Sequence, residues 1–429
     1  MSKRTKSLAL LAAGTVAVAG GAIACGDDDG GGAGGDVGEL KVGLLVPLSG
    51  DFGPFGVAGA QAAELAAAQV NAAAIEAGID LTVNVSQHDT STEIQAAQQA
   101  ATRLIENDGV DALVGPWTSG NTISTAENVS IPAGIPLVSP AAPSPAITDL
   151  DDNDTVFRTV PSDALQGRVA ARAMLETLGI DANVVTVNRN DVYGNALVEQ
   201  FTQAWEDFGA TVERNVSYNP EAADLDREAG QVVEGAPDAW FIIDFPDSWA
   251  KMGPALVRTG AWDPAETFTA DGLRSSDLPE DAGADATEGM RGIAPTHAET
   301  PAGVAFSALW NAGADSERQI FDSNNFDAVM LIALAAARAG SRAPADIAAN
   351  IQAVSGAPGE KYTHERLPEA LAALKDGNDI DYEGVSGPLD LDDAGDPGSD
   401  GTNYRTWSYK GGELVDDDEV INFGEFVGG

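Results

Sequence analysis

The stretch VDALVGPWTSGNT, residues 110–122, joins an apolar run to a segment with helical periodicity. The run Val110–Val114 is almost continuously apolar, which is typical of a strand buried on both faces of a parallel sheet. The loop that follows, GPWTSGNT, contains two glycines, three hydroxyl side chains and one Trp, but no metal ligand and no acid–base pair. Because ligands of open α/β sheets bind at the carboxyl ends of the strands, the pattern predicts a ligand-contact loop.

The same loop does not fit two catalytic motifs. A phosphate-binding loop needs Gly-Lys-Ser/Thr after a glycine-rich turn, and no Lys is near this loop. A nucleophile elbow needs Gly-x-Ser-x-Gly, whereas Ser119 is preceded by Trp117 and Thr118. Phosphate transfer and serine hydrolysis are therefore not expected at this loop.

Short apolar runs and helical patterns alternate along the rest of the chain. The alternation predicts the α/β class, with parallel sheets covered by helices on both faces. About 390 residues follow residue 38, which is more than one ordinary core holds and natural for two domains. The predicted strands include residues 42–46, 81–83, 112–114, 136–138, 184–187 and 240–243, and the predicted helices include 57–73, 92–107, 165–178 and 195–208.

The first 24 residues have the pattern of a secretion signal, with a cationic start and then the apolar run Leu8–Ala24. A membrane-spanning helix is the alternative, but a span needs about 20 apolar residues and this run is shorter and broken by glycine. The segment Ala22–Cys25 resembles the bacterial lipobox, with Ala22 in place of the usual Leu. We therefore predict cleavage before Cys25, lipidation of Cys25, and a flexible tether over residues 25–38.

The composition of the chain excludes several kinds of site and binding partner. Cys25 is the only cysteine, so the chain forms no intramolecular disulfide and has no thiolate metal site elsewhere. The formal net charge of −44 makes nucleic acid and anionic lipid head groups unsuitable partners. The acids are scattered, which favours a solvated, salt-adapted surface over an acidic docking patch. We predict no cofactor and no metal.

Several runs in order carry a family resemblance. The chain resembles the substrate-binding proteins of ABC transporters for branched-chain amino acids, and the resemblance covers nearly all of it after the tether. The runs are VGLLVPLSGDFGPFG (42–56), VDALVGPWTSG (110–120), IPLVSPAAPSPAIT (135–148), FRTVPSD (157–163), DVYGN (191–195), ATEGMRG (286–292), NFDAVMLIALAAARAGS (325–341) and GVSGPLDLDDAGD (384–396).

The resemblance implies a type I periplasmic binding protein: two Rossmann-like lobes joined by three crossovers that close on a ligand like a hinged clamp. We expect the crossovers near Thr159, Ala294 and Gly401. Lobe 1 is then 39–158 plus 295–400, and lobe 2 is 159–294 plus 401–429. Residues 356–382 look longer than the family core needs.

The resemblance also implies a set of ligand-binding residues. In this family, hydroxyl and backbone groups of two lobe 1 loops hold the ligand carboxylate, an acid from lobe 2 pairs with the ammonium, and aromatic residues wall the cleft. The positions that match are Phe55, Trp117, Ser119, Ala141, Pro143, Tyr193, Phe245 and Asp271.

Two of these positions depart from the family pattern. Pro143 replaces a Thr, and proline has neither the hydroxyl nor the amide proton that the carboxylate clamp uses. Asp271 is shorter than the usual Glu. Other roles stay open: Ser119 is also suited to a helix N-cap, Asp271 to a turn before Gly272, and each aromatic residue to core packing.

The sequence thus predicts a lipid-anchored, extracytoplasmic binding protein, not an enzyme, that delivers a small amino-acid-like ligand to an ABC permease. The alternative ligand class is an amide, urea or small carboxylate. The alternative role is that of a sensory module, which signals its closure on the ligand to a receptor. An envelope hydrolase is a poor fit, because His88, His297 and His364 are far apart in sequence and none accompanies a nucleophile motif.

Overall fold

The computed structural model describes residues 36–296, 300–399 and 402–424. Residues 1–35, which include Cys25 and the predicted signal, lie outside the described residues, as does His297. Among the described helices, none is long and apolar enough to cross a membrane. The described strands are β1 (Gly38–Val46), β2 (Leu81–Asp89), β3 (Ala112–Val114), β4 (Leu137–Ser139), β5 (Val156–Arg158), β6 (Val184–Arg189), β7 (Val212–Tyr218), β8 (Ala239–Ile243), β9 (Thr267–Thr269), β10 (Arg291–Pro295), β11 (Glu360–Tyr362), β12 (Ile380–Tyr382), β13 (Asn403–Lys410) and β14 (Glu413–Asn422).

Helices cover the strands. The described α-helices are α1 (Gly53–Ala77), α2 (Ile94–Arg103), α3 (Ser119–Thr125), α4 (Ile131–Ala133), α5 (Pro145–Thr148), α6 (Asp163–Leu178), α7 (Val192–Asp207), α8 (Asp226–Val232), α9 (Pro246–Thr259), α10 (Leu278–Asp281), α11 (Pro301–Gly313), α12 (Asp322–Ala339), α13 (Pro344–Val354) and α14 (Leu367–Lys375). Short π-helices extend α2 and α3 over Leu104–Asp108 and Ala126–Ser130. The short 3₁₀ helices are Pro264–Glu266, Asp271–Leu273, Ala284–Ala286 and His364–Arg366.

Two principal sheets organise these elements and confirm the predicted α/β class. The first has the order β2-β1-β3-β4-β5 and is parallel at every pair. The second has the order β14-β13-β10-β9-β8-β6-β7. Its strands β6 to β10 pair in parallel, but β13 pairs antiparallel with both β10 and β14. The apolar strands predict parallel sheets, so this antiparallel edge differs from the prediction.

The central strands of both sheets are buried on both faces, as their near-continuous apolar sequences predict. In β1, the neighbouring residues Leu44 and Leu45 belong to separate hydrophobic clusters because successive side chains of a strand point to opposite faces. In β8, Phe241 and Trp240 divide in the same way between the two clusters that flank the second sheet. Helix α12 packs against α1 and is buried along almost its whole length.

The chain passes between the two sheets three times. It leaves the first sheet after β5, returns after β10 to form α11 to α14, and re-enters the second sheet at β13. The segment 356–382 contains the small parallel sheet of β11 and β12 together with α14. Asp327 of α12 holds the following segment, because its carboxylate accepts bonds from the backbone N–H groups of Val385 and Ser386 at 3.0 and 2.6 Å.

Candidate ligand-binding site

Loops at the carboxyl ends of six strands meet at one cavity. The loops after β1, β3 and β4 come from the first sheet, and those after β6, β8 and β9 come from the second, as expected for an α/β ligand site. The cavity volume is about 10 Å³, roughly the space that one water molecule needs. Its lining residues are Phe52, Trp117, Thr118, Ser119, Ala141, Pro143, Tyr193, Phe245, Asp271 and Phe321.

Aromatic side chains from both sheets close the cavity. Phe52, from the first sheet, lies edge-on to Phe245 of the second, with 4.5 Å between ring centroids. Phe245 in turn stacks on Tyr193 at 5.1 Å. Trp117 contacts Phe52 and Phe321 edge-on at 6.0 and 5.9 Å. Because these rings fill the space between the sheets, they have to separate before a ligand larger than water can enter.

Phe55 does not line this cavity, although the family resemblance predicts that it walls the cleft. The side chain is fully buried behind Phe52, with 5.0 Å between the two ring centroids. Helix α1 begins at Gly53, so Phe55 lies in the first helical turn and packs in the core, whereas Phe52 lies before the helix and reaches the cavity.

Asp271 provides a buried carboxylate at the cavity. It is 3% exposed and begins a 3₁₀ turn directly after β9. Its Oδ1 accepts hydrogen bonds from Gln166 Nε2 at 2.7 Å and from the Tyr193 hydroxyl at 3.3 Å. Burial raises the pKa of Asp271, and the bond from Gln166 partly offsets that rise. A protonated amine that enters the cavity finds a poorly solvated acceptor here.

Ser119 is the first residue of α3, and Thr118 rather than Ser119 is the residue before the helix. The side chain is fully buried, and its Oγ accepts a hydrogen bond from the backbone N–H of Ser144 at 3.3 Å. Since Oγ accepts this bond, its own proton is available to a ligand acceptor. In the described structure neither the Thr118 nor the Ser119 side chain makes a helix-capping bond.

Ala141 and Pro143 line the cavity from the loop after β4. The carbonyl of Pro143 accepts the backbone N–H of Asp163 at 2.8 Å. Arg158, which is fully buried, fixes the same loop from behind by donating from Nη1 to the carbonyl of Ser144 at 3.0 Å. Its Nη2 pairs with Asp396 at 2.5 Å.

Three lining residues were not found by sequence reasoning: Phe52, Thr118 and Phe321. Phe321 has a left-handed backbone, with φ of +66°, which is uncommon for a non-glycine residue and often marks a functional site. It precedes α12, far along the chain from the other wall residues, and no local motif marks it. Phe52 stands three residues before Phe55 in FGPF, and the signal that separates them is Pro54, which favours a helix start at this point.

A charged cluster at the edge of the cavity also joins the two sheets. Arg189, at the end of β6, donates from Nη2 to Asp51 of the first sheet at 2.7 Å. It also pairs with Asp191 at 2.5 Å, and its guanidinium lies 3.9 Å from the ring centroid of Phe245. Burial lowers the pKa of Arg189, but Asp191, Asp244 and Asp51 outweigh that effect, so the group stays charged. Among the described residues, no group of three or more His, Cys, Asp or Glu side chains could hold a metal.

The fold and the cleft define a two-lobed binding protein. The family model for periplasmic binding proteins matches residues 39–406, and the chain belongs to this family, in its leucine-binding-like type I form. The substrate-binding protein BasB of the chemotactic signal transduction system of Halobacterium salinarum is 29% identical over 83% of this chain and 84% of its own.

Two other proteins match a similar share of the chain. The Leu/Ile/Val-binding protein homolog 1 of Brucella abortus is 26% identical over 86% of this chain and 90% of its own. The structure of the branched-chain amino acid transporter substrate-binding protein of Streptococcus pneumoniae in complex with isoleucine superposes with a TM-score of 0.70. It is 22% identical and covers 88% of this chain and all (100%) of its own, so this likeness establishes the fold alone.

Proposed function

We propose that this protein is an extracytoplasmic solute-binding lipoprotein that captures a small amino-acid-like ligand between two lobes and delivers it to an ABC permease. The observation that carries the proposal is one cavity built by both sheets, with aromatic walls and a single buried carboxylate, Asp271. Apolar walls with a few placed polar groups are typical of small-molecule sites.

The proposed ligand contacts follow from the chemistry of the lining. The ammonium of the ligand pairs with Asp271, and the Ala141 carbonyl accepts a second bond. Ser119 donates to an acceptor on the ligand, while Trp117, Tyr193 and Phe245 enclose its apolar part. Pro143 has no proton to donate, so it contacts the ligand only by packing against it from the side of the first sheet.

We propose lobe 1 as 39–158 plus 295–400 and lobe 2 as 159–294 plus 401–429. A ligand that contacts both lobes biases the equilibrium towards closure, because it gains those contacts only in the closed conformation. The small cavity and the bond between Arg189 and Asp51 support such a closed arrangement. We propose no catalytic step, and turnover of an ester or amide by the purified protein would contradict the proposal.

We further propose that Cys25 is lipidated and holds the protein at the outer face of a membrane. The grounds are the lipobox-like Ala22–Cys25 and the glycine-rich tether over 25–38. Cys25→Ser is expected to move the protein from the membrane fraction to the soluble extracytoplasmic fraction. An unchanged distribution would contradict the anchor without affecting the ligand site.

A ligand sensor is the second candidate, and the similarity to a chemotactic substrate-binding protein favours it. The two candidates share the cavity and differ in the partner of the closed form. Neighbouring genes for a permease and an ATPase favour transport, whereas a neighbouring receptor or kinase favours sensing.

Native mass spectrometry of the purified protein, followed by calorimetry against amino acids and their amides, tests the proposed function. We expect a co-purified or titrated amine-bearing ligand at one per chain. If no amine-bearing compound in the panel binds, the proposed ligand class is wrong.

A further inference from the structure

The indole nitrogen of Trp117 is a buried donor at the cavity. Trp117 is 1% exposed and lines the cavity, yet its Nε1 has no hydrogen-bond partner among the described residues. A buried N–H group that stays unpaired costs free energy, so most such groups in folded proteins have a partner. A ligand atom that accepts this bond would remove that cost.

The indole ring is held in place from three sides. A Cβ atom at Gly59 of α1 would lie 2.2 Å from Cζ2 of Trp117, so the ring rests directly on the helix backbone. Phe52 and Phe321 contact it edge-on, at 6.0 and 5.9 Å between centroids. A donor whose rotamer is fixed by packing loses little entropy when it binds a ligand, as expected of a pre-organised site.

The other side-chain donors at the cavity are uncharged, and they include the hydroxyl of Thr118. Pro143 has no N–H, and the Tyr193 hydroxyl donates to Asp271. Ser119 retains one proton to donate. No Lys, Arg or His is among the residues that line the cavity. A carboxylate presents about four acceptor sites, whereas a carbonyl oxygen presents two. The available donors therefore match a neutral carbonyl better than a carboxylate.

We propose that Trp117 Nε1 is a ligand-binding donor, and that the site takes a protonated amine bearing a neutral carbonyl, such as an amino-acid amide, in preference to a free amino acid. The amine pairs with Asp271, and the carbonyl oxygen accepts from Trp117 and Ser119. This inference rests on the proposed function and specifies the ligand class of the same cavity.

Calorimetry at about pH 7 with L-leucinamide and L-leucine tests the inference, since the two probes differ only at the carbonyl group. We expect leucinamide to bind at least about tenfold more tightly than leucine. Trp117→Phe removes the N–H and keeps an aromatic ring. It is expected to lower the affinity for leucinamide at least about fivefold, and by a clearly larger factor than it lowers the affinity for leucine.

Trp205→Phe is the matched control. Trp205 Nε1 is also buried without a partner among the described residues, but the ring stacks on Phe201 within α7 and does not line the cavity. This substitution is expected to leave both affinities unchanged.

Asn325 is an alternative hydrogen-bond partner, within the protein, for the indole nitrogen of Trp117. Its Oδ1 is buried without a partner, and its Nδ2 lies 3.0 Å from the position of a Cβ atom at Gly59. If the indole pairs with Asn325 in solution, Trp117→Phe lowers the melting temperature and weakens both probes alike. Any of three results overturns the inference and leaves the proposed function standing. They are this equal weakening of both probes, no effect of Trp117→Phe on leucinamide binding, and leucine binding at least as tight as leucinamide binding. Failure of both probes to bind also overturns the inference, whereas the proposed function fails only if no amine-bearing compound of the wider panel binds.

Discussion

Arg189 and Asp51 connect the two sheets through a hydrogen-bonded ion pair of 2.7 Å beside the cavity. Their side chains are 6% and 19% exposed, so solvent screens the pair only in part. Neither residue lines the cavity. The pair is therefore expected to stabilise the proposed closed arrangement without contributing to the choice of ligand.

Asp51→Asn is expected to speed ligand dissociation by roughly fivefold, equivalent to about 1 kcal/mol, because Arg189 keeps Asp191 but loses its partner on the other lobe. Stopped-flow fluorescence of ligand release measures the effect, and salt is expected to reduce the difference from wild type. Asp80→Asn, at an exposed position of the same lobe, is the control. Equal release rates for wild type and Asp51→Asn would mean that the pair does not hold the closed form.

Gly59→Ala is expected to lower ligand affinity at least about tenfold, because the new methyl group would lie 2.2 Å from the Trp117 ring and displace it. Gly230→Ala in α8 is the matched control, since nothing lies within 4 Å of its added Cβ. That control is expected to stabilise the protein by up to about 1 kcal/mol through helix propensity. Calorimetry and thermal unfolding give the two readouts, and an unchanged affinity in Gly59→Ala would place the ligand away from Trp117.

Arg158→Met is expected to destabilise the protein by about 3–5 kcal/mol, because it leaves the carboxylate of Asp396 buried without its cation. Urea unfolding measures the loss. The double variant with Asp396→Leu is expected to be less destabilised than the sum of the single variants, by about 1–3 kcal/mol. Additive effects would show that the two side chains do not act as a pair.

Asp244 is expected to make stability depend on pH. Burial raises the pKa of Asp244 to about 6, although Arg189 and a bond from Ser248 act in the opposite direction. The folded protein therefore binds this proton more tightly than the unfolded chain does. The resulting stability is present below the ordinary Asp pKa of 3.8 and is lost as the pH rises through about 6.

Parallel unfolding curves of wild type and Asp244→Asn isolate this contribution. The free energy of unfolding of wild type, relative to that of Asp244→Asn, is expected to rise as the pH falls from about 7 to about 4. The Asn side chain keeps an oxygen that can accept from Ser248 and from the N–H of Phe245. A constant difference between the two proteins over this range would contradict the assignment to Asp244.

Much of the site follows from the sequence, because strand-end loops can be located from apolar runs. Ser119, Ala141, Tyr193 and Phe245 each come soon after a strand that an apolar run predicts, whereas only the family resemblance points to Asp271. The structure brings all five to one cavity. Whether Phe52 or Phe55 reaches the cavity depends on which residue begins α1. Hydrophobic periodicity does not locate a helix start to a single residue.

Other features depend on contacts between distant segments. Phe321 reaches the cavity through a left-handed backbone before α12, and no local pattern predicts that conformation. The antiparallel edge formed by β13 and β14 has the same origin, since pairing direction depends on where the chain returns after its third passage between the sheets. The lobe boundaries and the anchor at Cys25 stay predictions.

We propose above all that Asp271 binds the amine of a ligand held between the two lobes. Calorimetric titration of Asp271→Asn with the ligand identified for wild type tests it most directly, with Asp285→Asn, an exposed position in the same lobe, as the control. We expect Asp271→Asn to weaken binding at least about tenfold, because a buried charge-assisted hydrogen bond is lost, and Asp285→Asn to bind like wild type. Equal affinity in Asp271→Asn and wild type would show that Asp271 does not bind the amine.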